Sequence, residues 1–215
     1  MLTSKEIRRQ LSPGRLAKLL LTVILPAGAF YAASLWILSS SGLTVAEIVV
    51  DPAQQMKISS FLGFLSNVGT FLWVSATAIC IFILSTRGQE LTKEERGLLL
   101  LVAAMSFCLA IDDFFLIHDR YIPQRYCYLS YALIAAAILV RHHRQILAKD
   151  PLAFVVAGSL LASSIGVDVL QNVVPISRTV TQVIEEGFKF VGSAAWLYFC
   201  ARISIVPAEV RPVAA

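Results

Sequence analysis

The stretch Ala-Ile-Asp-Asp-Phe-Phe-Leu-Ile-His-Asp-Arg, residues 110 to 120, ends a long apolar segment of the chain. Its ionisable side chains include three carboxylates and one imidazole: Asp112, Asp113, His118 and Asp119. Membranes rarely contain such groups unless the groups are paired or serve a function. The stretch therefore predicts a membrane-spanning helix that carries a polar site near one end.

The composition extends the membrane prediction to the whole chain. Of the 215 residues, 57% are hydrophobic and 15% are charged, and the mean hydropathy is +0.74. Six apolar segments are separable, at residues 19–38, 61–84, 97–119, 124–140, 151–172 and 179–201. Most come close to the ~20 residues that a helix needs to cross a bilayer. The first is longer than the apolar part of a signal peptide needs to be, so we interpret it as a retained helix.

These segments predict an all-α fold, a six-helix transmembrane bundle over residues 19–201. A basic segment, residues 1–18, precedes the bundle, and a tail, residues 202–215, follows it. The threonine of Thr92-Lys93-Glu94-Glu95 and the glutamate three positions later fit a capping box for the third helix. Pro151 fits the first position of the fifth helix.

The basic residues predict an orientation. If the connections alternate between the two sides of the membrane, thirteen of the 18 Lys and Arg residues fall on one side. Only four fall on the other side, and Lys189 lies within a helix. Because cytoplasmic loops are enriched in Lys and Arg, both termini are predicted to be cytoplasmic. This rule explains the net charge of +4 without an anionic partner, and no nucleic-acid-binding signature is present.

Under this orientation, several helices bring polar residues to the outer third of the bundle. Asp112 and Asp113 lie about two turns from the outer end of the third helix. Glu185 and Glu186 lie about as deep in the sixth. Asp168 lies near the outer end of the fifth. Since lipid offers no polar partner, we expect these side chains to face the interior of the bundle.

Helical geometry predicts which of these residues meet. On a straight third helix, Asp112 and Asp119 share a face, whereas Asp113 and His118 point to other sides. On the sixth helix, Lys189 follows one of the two glutamates by four residues, a favourable spacing for an ion pair. We therefore expect the glutamate at position 185 to be the first partner of Lys189, and its neighbour at position 186 to be the second.

The excess of carboxylates needs neutralisation, and three arrangements would provide it. A divalent metal ion is one, with predicted ligands Asp112, His118, Asp168 and Glu185. In that case Asp113, Glu186 and Lys189 are the predicted catalytic groups. Proton binding is the second arrangement, and ion pairing with arginines of the outer loops is the third. Glu-x-x-His and His-Glu-x-x-His are both absent, so the spacing matches no common metal motif.

The motifs Asp-Asp-Phe-Phe-Leu-Ile-His-Asp and Glu-Glu-Gly-Phe-Lys-Phe resemble those of small uncharacterised multi-pass bacterial inner-membrane proteins. This resemblance covers two of the six predicted helices. It implies a multi-pass fold in the bacterial inner (cytoplasmic) membrane and no particular activity.

The sequence leaves three functions open, and with them whether the protein is an enzyme. The first is a metal-dependent hydrolase or transferase of a lipid substrate, in which the ion activates water. The second is a proton- or cation-coupled transporter or channel, in which buried carboxylates titrate and exchange partners. The third is an accessory or assembly subunit with a purely structural polar network. The lipid bilayer is the one partner that the sequence identifies. The sequence identifies neither a substrate nor an oligomeric state.

Overall fold

The computed structural model describes residues 13–14, 17, 20–59, 61–170 and 177–205. The chain forms two compact units, Met1–Leu62 and Gly63–Ala215. The predicted end of the fifth helix at residue 172 and the tail residues 206–215 lie outside the described residues. Most of the basic segment at residues 1–18 does too.

The described part of the first unit contains one long helix that begins with a π-helical turn, and two short helices. A π-helical turn, Leu20–Ile24, continues into α1, Leu25–Ser40. Two five-residue helices follow, α2 (Val45–Val49) and α3 (Pro52–Met56). Thr44 and Glu47 form a capping box at the start of α2, and the Asp51 side chain accepts two backbone hydrogen bonds at the start of α3. These caps satisfy amide groups that the first turn of a helix leaves without partners.

In the part that the structure describes, the second unit has five long helices and one single-turn helix: α4 (Phe64–Arg87), α5 (Lys93–Phe115), α6 (Ile117–Arg120), α7 (Gln124–Lys149), α8 (Pro151–Leu170) and α9 (Arg178–Ile203). A 3-10 turn, Gly88–Glu90, follows α4. The capping box predicted at Thr92 and Glu95 is present at the start of α5. The fifth long helix of the chain begins at Pro151, as its sequence predicts. Within the described residues the fold is all-helical, and the predicted helical class is confirmed.

Among the residues that the structure describes, four helices are long and apolar enough to cross a membrane: Leu20–Ser40, Phe64–Glu90, Lys93–Phe115 and Pro151–Leu170. The other two long helices, α7 and α9, have 26 residues each, which is enough length for a crossing. They carry more polar and charged residues, among them Glu185, Glu186 and Lys189 of α9. Length and composition thus indicate a membrane protein with at least four candidate spans.

Several helix boundaries differ from the predicted ones, and two of the differences have a clear structural cause. The third long helix ends at Phe115 instead of residue 119, because Leu116 adopts a left-handed conformation with φ of 53°. The fourth continues to Lys149 instead of ending near residue 140. Its backbone departs from helical geometry at His142, whose buried ring packs on Gly97 of α5. A Cβ at Gly97 would lie 3.0 Å from that ring, so the glycine permits this approach.

Contacts at two levels show that α5 and α9 are antiparallel. Toward one end, the Trp196 indole donates a hydrogen bond of 2.9 Å to the Ser106 hydroxyl. Toward the other end, the Lys189 amine lies 3.6 Å from the Asp113 carboxylate. Moving forward along α5 thus means moving backward along α9. The C-terminal half of one helix therefore lies beside the N-terminal half of the other.

Small residues allow α8 and α9 to pack closely. A Cβ built on Gly192 of α9 would lie 2.9 Å from a methyl group of Leu161 on α8, a distance that real side chains do not tolerate. Nearer the other end of the pair, the Ser164 hydroxyl donates a 3.0 Å hydrogen bond to the Glu185 carbonyl. Close approach with a serine-to-backbone bond is a common way for membrane helices to associate.

Candidate functional site

The left-handed residue Leu116 places His118 beside Asp112. It ends α5, and the chain turns back so that the His118 amide donates a 2.8 Å hydrogen bond to one Asp112 oxygen. The other Asp112 oxygen lies 2.9 Å from His118 Nδ1. The prediction that the two side chains point to different sides of one helix was therefore wrong. It assumed a continuous helix through position 116.

Asp112 is buried and has two side-chain partners. The Tyr131 hydroxyl of α7 donates a 2.6 Å hydrogen bond to the oxygen that faces His118. The Asp112 carboxylate raises the pKa of His118 above its usual value, and this effect outweighs partial burial, which acts in the opposite direction. A carboxylate this close to the imidazole favours its protonated form. His118 Nε2 lies 3.5 Å from the exposed Asp119 carboxylate.

Asp113 lies in a separate network between three helices. The Trp73 indole of α4 donates a 3.0 Å hydrogen bond to its carboxylate. Lys189 of α9 lies 3.6 Å from Asp113 and 3.1 Å from Glu186. Lys189 thus pairs with Glu186 and with a carboxylate on another helix, and the prediction that Glu185 is its first partner was wrong. The spacing of residues along one helix gives no information about a carboxylate on a neighbouring helix that competes for the same lysine.

Asp168 of α8 forms a third network, with α7. The Tyr128 hydroxyl donates a 2.8 Å hydrogen bond to Asp168, and the Gln124 amide donates to the same oxygen. Gln124 also donates to the Tyr128 hydroxyl at 2.7 Å. The Tyr128 and Gln124 side chains thereby stabilise the buried Asp168 carboxylate.

Three cavities lie among these networks. The first, about 400 Å³, has mostly apolar walls between α4 and α9, including Leu65, Trp73, Val183 and Phe190. The second, about 350 Å³, has mostly polar walls that include Asp119, Asp168 and Arg178. Both have wall residues in common: Ser66, Asp113, Gln182, Glu186 and Lys189.

The third cavity is smaller, about 90 Å³, and lies behind the polar one. Asp112, Tyr128 and Tyr131 contribute to its walls. It shares a second group of residues with the polar cavity: Asp113, His118, Glu185 and Lys189. The predicted site residues therefore line three neighbouring cavities that share wall residues, one with mostly apolar walls and one with mostly polar walls.

The arrangement does not support the predicted metal site. In the part of the chain that the structure describes, no three His, Cys, Asp or Glu side chains lie close enough together to hold a metal ion. Of the predicted ligands, Asp112 and His118 contact each other, whereas Asp168 has hydrogen bonds from α7. Glu185 lines the same cavities without completing a coordination set.

Sequence reasoning missed the contribution of α7. Tyrosines near the end of a membrane helix commonly form an aromatic belt at the membrane surface, so Tyr128 and Tyr131 do not stand out in the sequence. Tyr121 and Tyr126 are indeed 74% and 51% exposed, but the other two hydrogen-bond to buried carboxylates. A signal was present, because Gln124, Tyr128 and Tyr131 are spaced i, i+4, i+7 along one helical face.

Comparison with known proteins places the chain in a family. A family model described as "Domain of unknown function (DUF8692)" matches residues 18–203. No curated protein and no solved structure matches the chain. The family match covers most of the 215 residues, including every residue of the candidate site. The chain therefore belongs to the DUF8692 family, a family of unknown function.

Proposed function

We propose that this protein binds a lipid or lipid-like substrate within the membrane and acts on it by hydrolysis or group transfer. The observation that carries the proposal is the pair of adjoining cavities, one apolar and one polar, with Asp113, Glu186 and Lys189 in their common wall. An amphipathic molecule would place its chain against apolar walls and its head group against polar ones. Sites of this kind bind ligands through apolar contact and a few placed polar groups.

The proposed topology has six membrane-spanning helices, with α7 and α9 added to the four apolar spans. Their length of 26 residues supports this, as does the packing of their polar residues against those of α5 and α8. The distribution of basic residues supports cytoplasmic termini and a site on the extracytoplasmic side. The bacterial inner membrane is the proposed location.

His118 is the proposed proton acceptor. Asp112 holds its Nδ1 side, and His118 lines the polar cavity, where it would remove a proton from water or from a substrate hydroxyl. The resulting oxygen nucleophile attacks the lipid, and the proton passes to the leaving group. Lys189, which lines all three cavities, would stabilise negative charge that develops on the substrate. General bases of this kind contribute about 10²- to 10⁴-fold to rate.

The test follows lipid composition with time. Purified protein is incubated in vesicles of phosphatidylethanolamine and phosphatidylglycerol, and products are measured by lipid mass spectrometry. We expect wild-type protein to convert one lipid and His118→Gln to lose about 10²-fold or more of that rate. His143→Gln, which changes an exposed histidine, should retain it. No lipid conversion, or equal rates in wild type and His118→Gln, would overturn the proposed reaction.

A proton- or cation-coupled transporter is the second candidate. Lys189 lies within reach of two carboxylates, Asp113 and Glu186, and an exchange of partners could accompany ion movement. Ion flux in proteoliposomes that Glu186→Gln abolishes would favour this candidate. Lipid conversion without flux would favour the enzyme.

A further inference from the structure

Charge complementarity identifies the kind of head group that the polar cavity would accept. Its walls carry five carboxylates: Asp113, Asp119, Asp168, Glu185 and Glu186. They carry two permanent cations, Arg178 and Lys189, in addition to His118. Charges in a cavity bordered by a membrane interact strongly, because the surroundings have a low dielectric constant. An anionic head group would meet net repulsion in this cavity, and a cationic one would meet attraction.

Most of these carboxylates already have partners within the protein. Lys189 pairs with Asp113 and Glu186, and Asp119 lies 3.5 Å from the His118 ring. Asp168 accepts hydrogen bonds from α7. Of the positively charged groups in the wall, these contacts involve Lys189 and the His118 ring and do not involve Arg178.

Glu185 differs from them. It is half-buried and lines both the polar cavity and the small cavity behind it. Among the described residues, no Lys, Arg or His group lies within ion-pair distance of its carboxylate. Its backbone carbonyl accepts a hydrogen bond from the Ser164 hydroxyl. A carboxylate at this depth gains most from a positively charged partner.

We propose that the substrate is an amphiphile with an ammonium head group and that Glu185 is its counter-ion. The apolar cavity accepts the hydrocarbon chain, and the ammonium group lies in the polar cavity beside Glu185. The chain would then approach along α4 and α9, where the apolar walls are. This inference rests on the proposed lipid-binding function and specifies the charge of the substrate.

The test uses three sixteen-carbon amphiphiles that differ only in the head group: a trimethylammonium, an alcohol and a carboxylate. Each carries a photoreactive diazirine in its chain, and the full-length protein is held in phosphatidylcholine nanodiscs. Labelling of α4 and α9 is mapped by peptide mass spectrometry and normalised to the amount of probe in the bilayer. We expect the ammonium probe to label these helices at about tenfold lower concentration than the alcohol does, as one charge-assisted contact would produce. The carboxylate should label them least.

Two isosteric variants complete the experiment. Glu185→Gln should remove the preference for the ammonium probe and leave labelling by the alcohol unchanged, which also shows that the variant is folded. Glu90→Gln changes a carboxylate paired with Arg87 outside the site and should behave as wild type. Equal labelling by the ammonium and alcohol probes, or an unchanged preference in Glu185→Gln, would overturn the inference and leave lipid binding intact. Absence of labelling on α4 and α9 by all three probes would overturn both proposals.

Discussion

The two ends of the five-helix unit are built differently. At one end, the interior is filled by aromatic side chains: Trp196, Phe199 and Phe154 have ring centroids 5.2 to 6.2 Å apart. At the other end, the same helices separate around three cavities lined by carboxylates, tyrosines and Lys189. Dense packing at one end maintains the helix arrangement, and the open end can then keep polar groups at fixed distances. This division favours a site preformed within a rigid scaffold.

The comparison predicts that truncating a tryptophan to alanine lowers the free energy of unfolding more at the packed end than at the open end. This is the largest expected effect. Trp196 and Trp73 are 2% and 1% exposed, but Trp73 lines two of the cavities. Trp196→Ala should lower the free energy of unfolding by about 3 to 5 kcal/mol, because it opens a new cavity in a packed region. Trp73→Ala should cost less, because it enlarges existing space. Unfolding titrations in SDS measure both, and a larger cost for Trp73→Ala would contradict the comparison.

The polar end should be sensitive to charge imbalance. Lys189→Met leaves Asp113 and Glu186 without their cation and should cost about 1 to 3 kcal/mol, less than the loss of a fully buried pair, because the Lys189 and Glu186 side chains are 29% and 43% exposed. Adding Asp113→Asn should recover part of the loss, because one uncompensated charge disappears. The apparent melting temperature in detergent reports both variants. A double variant less stable than Lys189→Met alone would show that Lys189 has another main partner.

The Asp112–His118 contact should be visible in the titration of His118. Because Asp112 raises the pKa of His118, wild-type His118 should titrate above the usual pKa of a histidine, and Asp112→Asn should move the midpoint to lower pH. The raised pKa means that the native state holds the proton more tightly than the unfolded chain. The resulting stabilisation is complete below about pH 6.5 and is lost as pH rises through the folded-state pKa.

Nuclear magnetic resonance of protein with isotope-labelled histidines, held in nanodiscs, checks this titration. The chain has three histidines to assign. Asp119→Asn is the matched control. Its carboxylate is exposed and 3.5 Å from the ring, so its removal should move the midpoint less. Equal shifts in the two variants would show that Asp112 does not hold the imidazole in solution.

The smallest predicted effect concerns Leu116, at the boundary between α5 and the single-turn helix α6. A left-handed conformation costs a leucine about 1 to 2 kcal/mol, and the structure keeps it there. Leu116→Gly should therefore be neutral or stabilise by up to about 1 kcal/mol. Leu116→Val should destabilise, because a side chain that is branched at Cβ tolerates positive φ least. Thermal unfolding of the two variants and the wild type is the measurement. A Leu116→Val variant more stable than the wild type would exclude the left-handed geometry.

The sequence located much of the candidate site, because its residues are unusual for their surroundings. Carboxylates such as Asp112 and Asp168 within apolar segments are visible without any structure. Their partners are less visible. Tyr131 and Tyr128 are ordinary residues for the end of a membrane helix, and only the packing of α7 against α5 and α8 gives them their roles.

By itself, the sequence determined the helical class, the apolar segments and local features such as the Thr92 cap and the start of α8 at Pro151. These follow from helix periodicity, transfer from water and the needs of a first turn, all of which act within a few residues. Only the tertiary structure decided that His118 returns to Asp112 and that Lys189 pairs across helices with Asp113. Such pairings depend on distances between separate helices and on one non-helical residue, and neither can be obtained from spacing along a single helix.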